Sequence, residues 1–159
     1  MGNPVSLRVA DGIAALRFER GDRMNVIDQD LAEAFRDAVL RALGDRSVRV
    51  LTLAGAGRSF MAGGDPAAFR ASDDRPATAR AIIGPMHDAL KALETAPQIS
   101  IAAIHGAVAG AGMSLALATD LCLAAEGTTL TLASPRVAVP ADCGATHALA
   151  RLVGLRKAL

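Results

Sequence analysis

The stretch ISIAAIHGAVAGAGMSLALATDLCLAA, Ile99 to Ala125, decides the fold. It begins with a short apolar run, Ile99 to Ile104, whose β-branched residues predict a buried strand that ends at His105-Gly106. The small residues Gly110-Ala111-Gly112 predict a close backbone turn, and Met113 to Ala118 predicts a helix. The first N–H groups of such a helix are unpaired and point outward, where they suit a phosphate, a carboxylate or a developing oxyanion.

The segments on either side of this stretch alternate between strand and helix patterns. Strands separated by helices favour an α/β layer with parallel pairing. A polar loop, expected to be mobile, covers Ala71 to Pro76, and Gly84-Pro85 either kinks the helix that follows or marks its start. The predicted elements are a hairpin of Val5 to Val9 with Ile13 to Phe18 around Asp11-Gly12, a helix from the N-cap Asp28 through Leu43 that stops at Gly44, a strand Val48 to Ala54, a helix with Ile82, Met86, Leu90 and Leu93 on one face, strands at Leu121 to Ala124 and Leu130 to Leu132, a helix at Ala145 to Leu152 and a helix start at Gly154 to Leu159.

Length and composition bound the class of protein. A chain of 159 residues is long enough for one domain with a real core, so we expect a single domain over residues 1–159. The charge balance of 17 basic against 16 acidic residues and an aromatic content of 3% argue against a nucleic-acid partner. Cys122 and Cys143 fit no metal or disulfide spacing, and no secretory leader pattern opens the chain, so a cytoplasmic protein is expected.

A membrane span is not expected, although no charged residue occurs between Glu94 and Asp120. That interval is long enough to cross a bilayer. Its apolar content is mostly Ala and Gly, which are only weakly lipophilic, and polar residues interrupt it. A strand and a helix buried on both faces of an α/β core are equally apolar, and this is the interpretation we adopt.

Three segments in this order carry a family likeness. They are VRVLTLAGAGRSFMAGGD (Val48 to Asp65), the opening stretch Ile99 to Ala125, and VPADCGATHALARLVGLRKAL (Val139 to Leu159); RMNVID (Arg23 to Asp28) adds a fourth. Together they resemble the crotonase, or enoyl-CoA hydratase/isomerase, superfamily. The likeness covers nearly the whole chain, which makes it more specific than any single glycine motif.

The resemblance implies a fold class of α/β type, a crotonase-like spiral of repeated ββα units. It implies an acyl-CoA thioester substrate, with coenzyme A as part of it and no prosthetic group, and a homotrimer or hexamer. It also implies an oxyanion hole made by the backbone N–H groups of Gly64 and Ala111, and a coenzyme A segment of Gly64, Asp65, Pro66 and Ala67. Phe69 is expected in the core rather than beside the adenine. The helices that usually follow in the family are absent, so we expect a chain truncated before that C-terminal segment.

The expected acids of a hydratase are missing. In the family the first catalytic glutamate falls at Ser114 here and the second at Ser134 or Pro135. Serine without a partner is no general base at neutral pH, so classical two-glutamate hydration is disfavoured. Asp142 matches the position of the single catalytic Asp of some family isomerases, and one base suffices to move a proton between C2 and C4 of an enoyl-CoA. The alternative is that Asp142 caps the helix near Ala145.

Two other functions stay open at this point. A serine hydrolase would use Ser114, since Gly112-Met113-Ser114-Leu115-Ala116 partly resembles a nucleophile elbow, but Ala116 replaces the second glycine. A non-catalytic acyl-CoA binder or scaffold would have kept the fold and lost its acids. A dinucleotide site fails because Leu115 stands where the third glycine belongs.

The remaining polar and sulfur-containing candidates are weaker. Asp120 and His105 are expected to be structural, no His or carboxylate pair has metal-ligand spacing, and Cys143 would need a nearby base to be a nucleophile. Four residues suggest apolar walls for an acyl group, although Met at helical spacing more often fills a core. These four are Met24, Val26, Met86 and Met113.

Overall fold

The computed structural model describes residues 2–133 and 140–158, which form seven strands and six helices. The strands are β1 Val5–Ala10, β2 Ile13–Phe18, β3 Val50–Gly55, β4 Ile99–Ile104, β5 Ala107–Ala109, β6 Leu121–Ala124 and β7 Thr129–Thr131. The helices are α1 Gln29–Gly44, α2 Pro66–Arg70, α3 Arg75–Thr95, α4 Ala111–Leu117, α5 Ala145–Val153 and α6 Leu155–Ala158. The predicted order of elements is therefore largely confirmed.

The large sheet has the strand order β1-β2-β3-β4-β6. The hairpin of β1 and β2 is antiparallel, as the Asp11-Gly12 turn predicts, and every other neighbouring pair is parallel. Ile13 lies opposite Val50, which lies opposite Ile99, so the parallel strands start level with one another. The predicted parallel α/β pairing is confirmed.

A second, smaller layer runs beside the large sheet. It contains the parallel pair β5 and β7, and two isolated parallel bridges, Ile27 with Gly64 and Met61 with Val108. From β2 onward, each turn of the chain gives one strand to the large sheet, one short strand or bridge to the small layer, and then a helix. This is the predicted spiral of ββα units.

Helix α1 shows why the local sequence folds as it does. The Asp28 side chain accepts a hydrogen bond from the Leu31 amide at 3.0 Å, which satisfies one of the unpaired donors at the helix start. Leu31 and Phe35 are fully buried on the inner face, and the rings of Phe18 and Phe35 lie 5.5 Å apart between centroids. The helix runs through Gly44, one residue beyond the predicted end at Leu43.

Two helix starts differ from the prediction, and one strand was not predicted. Helix α3 starts at Arg75 behind the N-cap Asp74, so Gly84-Pro85 lies inside it, and half of the predicted 71–76 loop is cap and helix. Helix α4 starts at Ala111 rather than Met113. Strand β5 was not predicted, because a three-residue strand between glycines is too short to show a period of two.

The expectation that the opening stretch is buried on both faces is wrong. Strand β4 buries Ser100, Ala102 and Ile104, whereas Ile99 on the other face is 47% exposed. All four residues of β6, the edge strand of the large sheet in the described chain, are exposed. Among residues 2–133 and 140–158, none of the helices combines the length and apolar composition that crossing a bilayer requires.

Asn25 ties the loop before α1 to the loop after β3. Its side chain is fully buried, and its Nδ2 donates hydrogen bonds to the carbonyls of Ala56, Ser59 and Phe60, each at 3.0 Å. Its φ of 52° lies in the left-handed region, which Asn tolerates better than most residues. A single amide therefore fixes the loop that leads to Gly64.

We predict that Asn25→Ala lowers the free energy of unfolding by about 2 kcal/mol, because two buried carbonyls and one half-buried carbonyl lose their donor. Urea unfolding followed by circular dichroism measures it. Asn25→Gly accepts the positive φ and should be destabilised less, which separates backbone strain from lost hydrogen bonds. An Asn25→Ala variant as stable as the parent would contradict this role.

Asp120 ties the end of α4 to the start of β4, as the sequence suggests. The amide and hydroxyl of Ser100 donate to one carboxylate oxygen at 2.8 and 2.7 Å, and the Asp120 amide donates to the Ser100 hydroxyl at 3.0 Å. The Ser100 hydroxyl and then its amide lower the pKa of Asp120. The contacts are structural.

The lowered pKa of Asp120 makes one contribution to stability depend on pH. A folded pKa below the unfolded value stabilises the protein above the unfolded value of about 3.9, and this contribution is lost as pH falls. Asp120→Asn should therefore be less stable than the parent near neutral pH, and the gap should narrow in acid. Urea unfolding at several pH values tests this, and a gap that widens in acid would count against it.

Candidate functional site

Two glycine-rich segments lie side by side at the small layer. The Ala109 amide donates to the Met61 carbonyl at 3.0 Å, and the Phe60 amide donates to the His105 carbonyl at 2.9 Å. Met61 and Val108 form a parallel bridge. Further along the two segments, Gly63 lies next to Gly110. The fold thus brings together two turns that lie 47 residues apart in the sequence.

Glycine is required where these two segments touch. A Cβ on Gly63 would lie 2.9 Å from the Ala109 carbonyl oxygen, and the φ of Gly63 is +92°. A Cβ on Gly112 would lie 2.4 Å from the Met61 carbonyl oxygen. A side chain at either position would push the segments apart. The close approach is therefore built into the sequence.

The amide of Gly64 faces away from Ile27, its partner in the small layer. In the bridge to Ile27, the Ile27 amide donates to the Gly63 carbonyl and the Asp65 amide donates to the Ile27 carbonyl, both at 2.8 Å. The N–H of Gly64 therefore faces the opposite side of its segment, since successive peptide groups alternate. Within the described residues this N–H has no hydrogen-bond partner.

The amide of Ala111 is also unpaired in the part of the chain that the structure describes. Ala111 is the first residue of α4, and the bond from the Ser114 amide to the Gly110 carbonyl, at 3.1 Å, closes the first turn behind it. An N–H at this position has no intrahelical acceptor. Ala111 is half-buried and Gly64 is exposed.

Asp65 holds the turn that follows Gly64. Its carboxylate accepts a hydrogen bond from the Ala67 amide at 2.8 Å and pairs with the guanidinium of Arg23. Asp65 is only 6% exposed, whereas Gly64, Pro66 and Ala67 are exposed. The carboxylate of Asp65 therefore faces the protein, and the other three residues face outward. Phe69 packs against the core, as expected.

Ser114 is buried and bonded within its own helix. Its hydroxyl donates to the Gly110 carbonyl at 3.3 Å, and it is 1% exposed. Neither an imidazole nor a carboxylate hydrogen-bonds to it in the described chain. Ser134 and Pro135, the alternatives for the second glutamate position, lie outside the described residues.

Asp142 lies just before α5, and its side chain does not cap that helix. The N-cap is Gly144, without a side-chain cap, and the Ala145 amide donates to the backbone carbonyl of Asp142 at 3.0 Å. The capping alternative is therefore wrong. The half-buried Asp142 carboxylate instead accepts a hydrogen bond from the Cys143 thiol.

Backbone conformation fixes this short segment. Cys143 has a φ of 50° and Gly144 a φ of 77°, two successive left-handed residues that turn the chain into α5. The cost of that conformation for Cys143 is offset by its burial, since it is 6% exposed. Helix α5 packs against α4, whose first residue is Ala111. Asp142 therefore lies directly before α5, which packs against α4, and the first residue of α4 carries one of the two free amides.

Burial first, and then the adjacent Asp142 carboxylate, raises the pKa of the Cys143 thiol to about 12. We predict that Cys143 stays unmodified by iodoacetamide near neutral pH, because the thiolate is the reactive form. Cys122 is exposed and should be alkylated in the same sample, although partial desolvation also raises the pKa of its thiol. Peptide mass spectrometry measures both sites. Alkylation of Cys143 at the rate of Cys122 in folded protein would contradict the prediction.

The remaining sequence candidates prove structural. His105 Nε2 bonds to the Gly57 carbonyl oxygen at 2.9 Å. Met86 and Met113 belong to the core, whereas Met24 and Val26 are half-buried. Residues 2–133 and 140–158 contain no group of three His, Cys, Asp or Glu side chains that could hold a metal ion.

Sequence reasoning missed a groove of about 670 Å³ between α3, the C-terminal end of α4 and α5, here called the α3–α5 groove. Cys143, directly after Asp142, lines it, whereas Gly64 and Ala111 do not. Its cationic and imidazole side chains come from helices some 60 residues apart, so no local pattern signals it. These side chains are His87, Lys91, His147 and Arg151.

Comparison with known proteins extends these observations. An E. coli K12 protein, 1,2-epoxyphenylacetyl-CoA isomerase, is 29% identical over 95% of this chain and 58% of its own length. "Probable enoyl-CoA hydratase EchA14" of Mycobacterium tuberculosis H37Rv is 33% identical over 96% of this chain and 59% of its own. The crystal structure of an enoyl-CoA hydratase from Mycobacterium avium subsp. paratuberculosis K-10 superposes with a TM-score of 0.87 at 27% identity, covering 99% of this chain and 62% of that one.

The chain thus spans about 59% of the length of the curated relatives that it matches. A family model described as enoyl-CoA hydratase/isomerase matches residues 8–159, almost the whole sequence. The spiral of ββα units agrees with the fold of the superposed structure. By this match, the chain belongs to the enoyl-CoA hydratase/isomerase family.

Proposed function

We propose that the protein binds an acyl-CoA thioester and shifts a double bond in its acyl group, as an isomerase. The N–H groups of Gly64 and Ala111 hold the thioester oxygen, and Asp142 carries the proton. The observation that supports this most is the pair of free amides on adjacent segments. Donors preorganised in this way act most strongly where negative charge develops during reaction.

In the proposed reaction one carboxylate does both proton transfers. The Asp142 carboxylate removes a proton from C2 of a 3-enoyl-CoA, and the electron pair moves into the thioester to give an enolate. The two amides stabilise the negative oxygen. The Asp142 carboxylic acid then returns the proton to C4, so that the C3–C4 double bond is lost and a C2–C3 double bond forms. The carboxylate is regenerated, and no other reactant is consumed.

Coenzyme A would extend along the outward-facing residues Gly64, Pro66 and Ala67, with Asp65 holding their turn from below. The Asp65 carboxylate already binds the Arg23 guanidinium and the Ala67 amide, so its proposed role is to position the segment of residues 64–67. The family uses CoA thioesters, which supports this placement. The names of the relatives include both hydratase and isomerase, and the serine at position 114 argues against a two-glutamate hydratase.

The direct test is turnover of 3-hexenoyl-CoA to 2-hexenoyl-CoA, followed by chromatography of the products. The isomerase proposal expects the 2-enoyl ester and little 3-hydroxyacyl ester. Accumulation of the 3-hydroxyacyl ester from 2-hexenoyl-CoA at a comparable rate would show that the protein is a hydratase, and the isomerase proposal would be wrong.

A non-catalytic acyl-CoA binder remains the second candidate, and the serine in place of a glutamate at position 114 favours it. Tight binding of CoA esters without turnover of any enoyl, hydroxyacyl or malonyl thioester would select it. A serine hydrolase is less well supported, because the Ser114 hydroxyl is bonded to Gly110. Labelling of Ser114 by an active-site serine probe would support a serine hydrolase instead.

We also propose assembly into trimers or pairs of trimers. The exposed side chains of β6, with Leu121 55% and Leu123 66% exposed, favour burial against further protein. Light scattering after size-exclusion chromatography measures the state directly, and a monomer at all concentrations would exclude it for this chain.

A further inference from the structure

One face of the large sheet packs on the core, and the other does not. Leu51, Leu53 and Ala102 point inward, are fully buried, and belong to one cluster with the buried residues of α1 and α3. The residues between them in sequence on β2, β3, β4 and β6 point outward, from Ile13 at one corner to Leu123 at the opposite corner. We call this surface the outer sheet face.

The outer sheet face is apolar although it is open to solvent. Ile13 is 44% exposed, Ile99 47%, Leu121 55% and Leu123 66%. Among the described residues that point outward from these four strands, Arg17 alone is charged. A sheet that faces water on one side normally alternates apolar with polar residues, whereas parallel sheets are covered on both faces. The composition of this face therefore predicts that further protein covers it.

Polar residues bound the outer sheet face at β1. On the same side of the sheet β1 presents Ser6 and Arg8, and the Ser6 hydroxyl donates to the Glu19 carboxylate at 2.6 Å. The Arg17 guanidinium lies 3.6 Å from the same carboxylate, so the charge of Arg17 is balanced at this margin. An apolar centre with a polar rim is the usual anatomy of a protein–protein interface.

The size of the surface is sufficient for a specific contact. Strands about 4.8 Å apart with a rise of about 3.3 Å per residue give five strands of six residues a face of about 24 by 20 Å. Two such faces packed together bury about 1,000 Å² in total, which is the lower bound expected of a stable interface. A second copy of the same face therefore supplies enough area.

The rows of the outer sheet face are also complementary to themselves. Val50 and Ile99 lie level in the first row. Ala54 and Ala103 lie level in the third row, four residues further along the same strands. A two-fold axis that crosses the strands at the middle row, through Thr52, places the first row of one copy over the third row of the other. Large β-branched side chains then pack on alanines.

We propose that the outer sheet face is a two-fold interface with a second copy of this chain. The two sheets pack face to face about 10 Å apart, and each copy contributes the same residues, as in other two-fold dimers. This interface is independent of the proposed acyl-CoA chemistry. In a pair of trimers, it is the contact that joins one trimer to the other.

Sedimentation velocity of Ile99→Glu tests the interface. This variant should have half the mass of the parent particle at the same concentration, a monomer in place of a dimer or a trimer in place of a hexamer, because the interface would bury an unpaired charge. Leu40→Glu is the matched control, since Leu40 of α1 is 48% exposed outside the face, and its mass should equal that of the parent. A parent that stays a monomer or a trimer at every concentration, or an Ile99→Glu variant with the parent mass, would overturn the proposal.

Thiol labelling tests the same face without adding a charge. Ala103 is exposed, so Ala103→Cys in a Cys122→Ser background places a thiol on the third row. A maleimide should label this thiol about tenfold more slowly in concentrated than in dilute solution, because mass action fills the interface. Leu40→Cys in the same background should react equally fast at both concentrations. Equal rates for Ala103→Cys, or protection of it only by added phosphatidylcholine vesicles, would overturn the proposal, the latter in favour of a membrane surface.

Discussion

Replacing Asp142 with asparagine should lower kcat for the isomerisation of 3-hexenoyl-CoA by about 10²- to 10⁴-fold, the usual contribution of a general base. Asparagine keeps the size of the side chain and can still accept a hydrogen bond from the Cys143 thiol. It cannot take a proton from C2 at neutral pH. The Kd for hexanoyl-CoA should stay within about twofold, because the proposed binding groups are elsewhere.

Two controls make this result specific to position 142. Asp88→Asn removes an exposed carboxylate from α3 and should leave kcat unchanged. Asp142→Glu keeps the acid but moves it, and should restore only part of the rate. If Asp142→Asn turns over at the parent rate, another group carries the proton and our assignment of the base is wrong.

Replacing Ala111 with proline should lower kcat by about 10²- to 10³-fold, or 2.7 to 4 kcal/mol of barrier, because it removes one N–H donor from the proposed oxyanion hole. Ala111 is the first residue of α4, and this is the helix position that proline tolerates, since its ring fixes a helical φ. Gly110 precedes it with a ψ of −127°, outside the helical range that proline disfavours in the preceding residue.

The matched control is Ala111→Ser, which keeps the amide and adds a small polar side chain. The serine variant should turn over at a rate near that of the parent. The serine and proline variants should have the same circular dichroism spectrum and the same unfolding midpoint, which shows that both are folded. A proline variant that is folded and fully active would show that the amide of Ala111 does not stabilise the reacting oxygen.

The sequence predicts the strand and helix order because most elements here carry a strong local signal. The Asp11-Gly12 turn, the Asp28 cap and the apolar runs of β3 and β4 each act within a few residues, and each is found as expected. Strand β5 lacks such a signal, because three residues are too few to show a period. The start of α3 does carry one, the N-cap Asp74 with Pro76 in the first turn, but it lies in a stretch whose polar composition favours a loop.

The candidate site also has parts that the sequence predicts and parts that it does not. Glycine-rich turns after strands mark Gly64 and Ala111, whereas the approach of the two segments depends on a bridge between Met61 and Val108, 47 residues apart. The alternative roles of Asp142 could not be separated by sequence, because an acid before a helix often caps it. The backbone twist at Cys143 and Gly144, which makes Gly144 the N-cap, decides against capping.

The α3–α5 groove has no sequence signature at all. Its walls come from α3, α4 and α5, and the side chains that give it charge are ordinary surface residues in each helix. Only their convergence in space suggests a ligand. Surface shape formed between distant elements is therefore what sequence patterns do not predict.

The most direct test of the central claim is a crystal structure of the protein with bound hexanoyl-CoA. We predict that the amide nitrogens of Gly64 and Ala111 both lie about 2.7 to 3.1 Å from the thioester carbonyl oxygen. A bound ester whose carbonyl oxygen meets only one of these nitrogens, or neither, would contradict the account.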